Sequence, residues 1–194
     1  MGEKDRNLSY RFNLTKNEKV LIISSSPRRR GNSDTLCDEF KKGAEESGNT
    51  VEKLFLADKK VRYCKGCETC SSLGKPCPQK DDAAEIIEKM ILSDVIVLAT
   101  PAYFYTMSAQ LKTLIDRCCG DYEKISGKQF YFIITVADTD EKNVEMVVSS
   151  LNAFLYCLDE AELKGIVMGL GVWHAGEIKG SDALKKAYLA GKNL

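Results

Sequence analysis

Apolar residues in this chain fall into two alternating patterns. Lys19–Ser24 (KVLIIS) and Asp94–Thr100 (DVIVLAT) are short β-branched runs with almost no polar interruption, as a strand covered on both faces requires. Thr50–Leu56, Gln129–Val136 and Gly165–Gly171 are three further strand candidates. Between the strands, apolar positions recur at helical spacing. Ser33–Ser47 carries Leu36, Cys37, Phe40 and Ala44, with Gly48 to close it. A helix opened by a capping box at Asp82 and Glu85 carries Ile86, Ile87, Met90 and Ile91. Ser108–Cys119, Glu141–Leu158 and Ser181–Gly191 complete the series. Five strand–helix units predict an α/β fold of three layers, a doubly wound, five-stranded parallel sheet with helices on both faces. Residues 19–194 form that domain, with residues 62–80 as an insertion and residues 1–18 as an extension. Residues 8–14 (LSYRFNL) alternate apolar and polar, which fits an arm laid on a partner subunit or a disordered tail.

Such a sheet takes its ligand beyond the carboxyl ends of the strands, where the strand order reverses. The loops after the first and third strands are therefore the candidates: SSSPRRRGNS at 24–33 and TPAYFYTMSA at 100–109. The first runs from a strand into a helix, so hydroxyls, backbone N–H groups and the helix dipole can all face an anion. Arg28 adds a charge-assisted donor suited to a phosphate. The loop has neither G-x-x-x-x-G-K-[ST] nor G-x-G-x-x-G, which argues against a nucleoside triphosphate or a dinucleotide there. In the second loop, Pro101 holds Thr100 extended and ends the strand. The aromatic side chains of Tyr103, Phe104 and Tyr105 then stand ready to stack on a flat heterocycle or to bury in a neighbouring subunit.

Composition narrows the partners. The 194 residues hold 28 Lys and Arg against 28 Asp and Glu, a formal charge of zero that disfavours nucleic acid and acidic membrane surfaces. No apolar stretch approaches the ~18 residues of a membrane span, and MGEKDRNLSYRFNLTKNEK contains no secretory h-region. A cytoplasmic setting follows as the expectation, and there eight cysteines call for metal or redox chemistry rather than structural disulfides. Cys64, Cys67, Cys70 and Cys77 form C-x2-C-x2-C-x6-C-P, a spacing that resembles cubane ferredoxin motifs. Zinc on four thiolates, or free thiols, are the alternatives. Cys37, Cys118, Cys119 and Cys157 fall on helical stretches and read as small core residues. Asp116-Arg117 reads as a helix-end anchor, and His174 is assigned no role.

Ser25-Ser26-Pro27-Arg28-x-x-Gly31-Asn32-Ser33 resembles the phosphate loop of the NADPH-dependent FMN reductases, which are flavodoxin-like with strand order 2-1-3-4-5. Asp94–Phe104, followed by Ser108-Ala-x-Leu-Lys112-x-x-Ile115-Asp116-Arg117, is similar to that group's second signature. The resemblance spans roughly residues 19–193. It implies FMN, with its phosphate end at Ser26, Pro27, Arg28, Asn32 and Ser33 and its ring along Pro101, Ala102, Tyr103 and Phe104. Val136-Ala137-Asp138-Thr139 stands where the family often has a Gly-rich turn, so no ring contact is assigned to that loop. The cysteine segment resembles that of the iron–sulfur flavoproteins within this group, which implies a [4Fe–4S] cluster on Cys64, Cys67, Cys70 and Cys77. The implied protein is an FMN-dependent oxidoreductase, a homodimer or homotetramer. It would take electrons from NAD(P)H or a ferredoxin-like donor and pass them to a small acceptor. A flavodoxin-type electron carrier is the alternative.

Overall fold

The computed structural model describes residues 17–194, so the 8–14 pattern lies outside the described residues. Five parallel strands stand in the order β2-β1-β3-β4-β5: β1 (Lys19–Ser24), β2 (Thr50–Phe55), β3 (Val95–Pro101), β4 (Gln129–Thr135) and β5 (Glu162–Gly169). The expected doubly wound topology is therefore present. β1 and β3 are central, and their continuous apolar runs are buried on both faces. On one face α2 (Ala83–Leu92), α3 (Ala109–Arg117) and α4 (Glu141–Leu155) cover Leu21, Ile23, Ile96, Leu98 and Phe132. On the other, α1 (Asn32–Glu46) and α5 (Asp182–Lys192) cover Val20, Ile22, Val97 and Ile133. Among the described residues no helix is long and apolar enough to cross a membrane.

The α1–α5 contact is unusually close. A Cβ on Gly43 would lie 2.1 Å from the Tyr188 carbonyl oxygen, and one on Gly191 would lie 2.1 Å from that of Phe40. Each helix thus presents a glycine to the other's backbone, a distance that no larger side chain permits.

Two sequence expectations are corrected here. β5 starts at Glu162 rather than Gly165 and ends at Gly169 rather than Gly171. As an edge strand it needs only one buried side, so Glu162 and Lys164 belong to it despite their polarity, and a register shift opposite Phe130/Tyr131 breaks the alternation. The Asp82 side chain does not cap α2. It accepts the Lys60 N–H at 2.6 Å, while Asp81 takes the Ala83 N–H at 3.2 Å.

Candidate cofactor-binding site

The first loop is shaped by one buried carboxylate. Asp34, in the first turn of α1, accepts the Ser24 hydroxyl at 2.9 Å and the Arg30 N–H at 2.9 Å, and pairs with Lys53 of β2 at 2.7 Å. Burial pushes its carboxyl up, but the Lys53 ammonium, the Arg30 N–H and the Ser24 hydroxyl outweigh this and hold it below the usual range. The pull on Arg30 supports its left-handed backbone (φ 54°) and turns the chain back so that Gly31 begins the helix. Gly31 has no room for a side chain: a Cβ would come within 2.9 Å of the Arg28 carbonyl oxygen. No side chain caps α1, so its first-turn N–H groups point outward, the arrangement that receives an anion.

The three arginines divide their work. Arg28 turns toward the sheet's carboxyl end and donates to the Trp173 carbonyl at 3.1 Å. Arg29 leaves the site, pairing with Asp58 and lying over the Phe55 ring. Asn32 spends most of its side chain on structure: its amide donates to the His174 carbonyl at 2.9 Å, and its oxygen accepts from Gly176 and Ile178 at 3.0 and 3.3 Å. The loop after β5 is thereby tied to the loop after β1.

A cavity of about 120 Å³ opens between these loops. It is lined by Ser26, Arg28, Asn32, Ser33, Pro101, Ala102 and Tyr103, all expected from the sequence. Pro27 and Phe104 lie outside the lining, and both side chains are exposed. The sequence reading missed the remaining wall, which comes from Thr135, Val136 and Ala137 after β4 and from Val172, Trp173 and Ala175 after β5. The signal for them was the sheet order, which brings the ends of β3, β4 and β5 to one edge.

Asp138 stiffens the β4 loop. It accepts the Tyr105 hydroxyl at 2.8 Å, the Asp140 N–H at 2.9 Å and the Asn143 amide at 2.8 Å, and these donors lower its carboxyl. The Tyr103–Thr106 turn is closed by reciprocal backbone bonds of 3.0 and 3.1 Å. It holds Phe104 and Tyr105 at φ 50° and 57°, a region that disfavours L-residues, with the Phe104 side chain fully exposed.

The cysteine segment leaves the end of β2 and returns to α2. Its ends are gathered by Arg117, whose guanidinium is buried against the Asp81 carboxylate at 2.7 and 3.1 Å. Arg117 also donates to the Arg62 carbonyl at 2.8 Å and to Cys77 Sγ at 3.4 Å, far more than the helix-end anchor expected of it. Burial alone would raise the Asp81 carboxyl, yet Arg117 and the N–H groups of Arg62 and Ala83 hold it at about 2. The thiols within the segment are engaged separately. Cys64 Sγ accepts the Gly66 N–H at 3.5 Å, Cys67 faces the Thr69 hydroxyl at 3.5 Å, and Cys70 packs on Gly120. Among the described residues no three His, Cys, Asp or Glu side chains converge as a metal site, so the spacing alone does not bring the four thiols to one point. The donor set nevertheless suits a soft metal: four thiols on a loop bent by Gly66, Glu68 and Gly74 at positive φ, with N–H and guanidinium donors to sulfur.

Of the four cysteines expected in the core, Cys37 and Cys118 are buried, and burial pushes both thiols up to about 12. Cys119 and Cys157 are exposed instead. The helices stop at Arg117 and Leu155, short of where apolar spacing extends them; Cys118 and Leu158 still reach the core, while Cys119 and Cys157 stand beside them on the open side.

A parallel sheet of this order, with an uncapped helix N-terminus at the strand-order reversal, defines a flavodoxin-like mononucleotide-binding protein. The chain belongs to the NADPH-dependent FMN reductase family, matching it over residues 18–177, and is a flavin oxidoreductase of that kind. It is 35% identical over 178 residues to an iron-sulfur flavoprotein of Archaeoglobus fulgidus, covering 91% of this chain and 78% of the relative. An iron-sulfur flavoprotein of Methanocaldococcus jannaschii is 46% identical over 99 residues, 51% of each chain. Among solved structures, an NAD(P)H:quinone oxidoreductase from Methanothermobacter marburgensis superposes with a TM-score of 0.68 at 20% identity, covering 91% of this chain and 96% of that one. An FMN-dependent NADH-azoreductase from Bacillus anthracis in complex with FMN gives 0.68 at 16% identity, covering 90% and 98%.

Proposed function

We propose that the chain binds FMN at the cavity beside the α1 N-terminus and passes electrons from NAD(P)H to a small acceptor. We further propose that it carries a [4Fe–4S] cluster on Cys64, Cys67, Cys70 and Cys77. The observation that carries the flavin reading is the convergence of three strand-end loops on an uncapped helix N-terminus that Arg28 overlooks. FMN, when bound, supplies the conversion between hydride and single-electron transfer.

The protein's part is binding and orientation. The first-turn N–H groups of α1, the Ser26 and Ser33 hydroxyls and Arg28 would hold the phosphate. The cavity of about 120 Å³ suits that end of the molecule, so the ring would extend past Pro101 and Ala102 toward Tyr103. Backbone groups of the 101–103 and 135–137 loops would meet its polar edge, and the Tyr103–Tyr105 turn would keep water from one side. The strained, exposed Phe104 supports a homodimer or homotetramer in which a second copy covers that turn. The Gly66 N–H and Arg117 would steady the cluster thiolates, and the cluster supplies single-electron exchange.

The test is anaerobic purification, followed by flavin fluorescence titration, iron and acid-labile sulfide assay, and mixing with NADPH or NADH. Saturable FMN binding, stoichiometric iron and bleaching of the flavin absorbance are expected. FMN that does not bind overturns the flavin reading, and bound FMN that neither NADPH nor NADH reduces overturns the nicotinamide donor. No iron after reconstitution overturns the cluster.

A further inference from the structure

Residues 117–120, at the end of α3, form a floor under the cysteine segment. Arg117 holds the segment at Arg62 and Cys77. Cys118 is buried and its thiol donates to the Leu114 carbonyl at 3.4 Å, while the Asp121 N–H closes the turn on the Cys118 carbonyl at 2.8 Å. Gly120 is pressed against Cys70: a Cβ there would stand 2.7 Å from Cys70 Cβ and 3.5 Å from its Sγ. Between these fixed neighbours sits Cys119, exposed, with the side chains of Cys70 and Cys64 close enough to its thiol to act on its charge. The segment side is also constrained, by Ser72 N–H to the Glu68 carbonyl at 2.9 Å and Lys75 N–H to the Thr69 carbonyl at 3.2 Å. Cys64, Cys67 and Cys77 are turned to the Gly66 N–H, Thr69 and Arg117, and Cys70 alone packs on Gly120, so Cys70 is the motif thiol presented to Cys119.

We propose that Cys119 is a fifth thiol of this site and closes a disulfide with Cys70 when a two-electron oxidant such as a peroxide is present. One sulfur attacks the O–O bond, becoming a sulfenic acid and releasing hydroxide, which takes up the thiol proton as water. The second sulfur then displaces the sulfenic oxygen, which leaves as water with the second thiol proton. Two thiols and one hydrogen peroxide thus give one S–S bond and two waters. The bond removes Cys70 from the four-cysteine set. Its consequence for metal loading rests on the cluster reading above, whereas the disulfide itself does not.

The test treats the full chain, freed of reductant, with one equivalent of hydrogen peroxide, followed by alkylation, trypsin and mass spectrometry. Trypsin does not cut between Lys75 and Pro76, so the expected product joins the peptide 66–80 to the peptide 118–124. That product should be lost in Cys119→Ser and in Cys70→Ser and kept in Cys67→Ser and Cys77→Ser. Alkylated Cys119 beside a disulfide internal to residues 64–77 overturns the proposal, as does a link that survives Cys119→Ser. In a second arm, the oxidised chain should refuse iron until dithiothreitol is added. If the reduced chain also refuses iron, the cluster reading fails while the peptide result still stands.

Discussion

Replacing Arg117 with methionine keeps an unbranched apolar stem and removes four donated hydrogen bonds at once: two to Asp81, one to the Arg62 carbonyl and one to Cys77. Both members of the ion pair are 3% exposed, so Asp81 would be left as a buried charge. Breaking such a pair from one side typically costs about 3–5 kcal/mol. Arg62, which reaches Asp81 at 3.5 Å, offsets part of this. The Asp81 carboxyl gives a second measure: lowered from 3.8 to about 2, it contributes roughly 2 kcal/mol at neutral pH once solvent near the segment is allowed for. Both routes give about 2–3 kcal/mol, concentrated where residues 60–82 are held to α3. Amide hydrogen exchange should therefore accelerate by about 30- to 150-fold in that segment of Arg117→Met, with the central strands much less affected. Arg117→Lys keeps the charge but not the fork and should fall between. Because the folded carboxyl is depressed, its contribution is complete above about pH 4 and disappears as the pH falls toward about 2. The wild-type segment should loosen across that window. Exchange within about threefold of wild type in Arg117→Met, or a loosening set in a different pH range, would refute the reasoning.

Arg28→Ala removes the only side-chain cation facing the proposed phosphate end among the cavity-lining residues, and FMN affinity should fall by about 10-fold or more. Fluorescence titration reads this, with the melting temperature little changed because Arg28 is exposed; a shift under threefold contradicts the assignment. Gly43→Ala places a methyl 2.1 Å from the Tyr188 carbonyl oxygen, so α5 must move away, at about 1–3 kcal/mol. Thermal melts should show the loss, and adding Gly191→Ala should cost less than the sum of the two, since one displacement relieves both contacts. Unchanged stability in Gly43→Ala would contradict the close approach.

The buried strands were legible because β1 and β3 must be apolar on both faces, and no helix could imitate such short β-branched runs. β5 was misplaced because an edge strand tolerates Glu162 and Lys164, and polarity then reads as loop. The phosphate-loop side of the cavity was legible from a local motif. The walls from Thr135–Ala137 and Val172–Ala175 were not, because their contribution comes from strand order and carries no residue pattern of its own. Asp34 and Asp138 organise two loops through backbone N–H groups and distant side chains, partners that only the folded chain identifies. Cys119 was misread for a related reason: apolar spacing extends α3 two residues past its end, and that difference moves the thiol from the core to the cysteine segment.

Translation delivers these parts in an awkward order. The sheet face of Val20, Ile22 and Val97 is covered first by α1 and completed only by α5, and Asn32 finds its partners only at residues 174–178. A nascent chain that has made all five strands therefore still exposes the part of that face that α5 covers, and it has no finished cofactor cradle. It would be a client for chaperones until residues 182–192 leave the ribosome, whereas the loop that ties Asn32 is already made by residue 178.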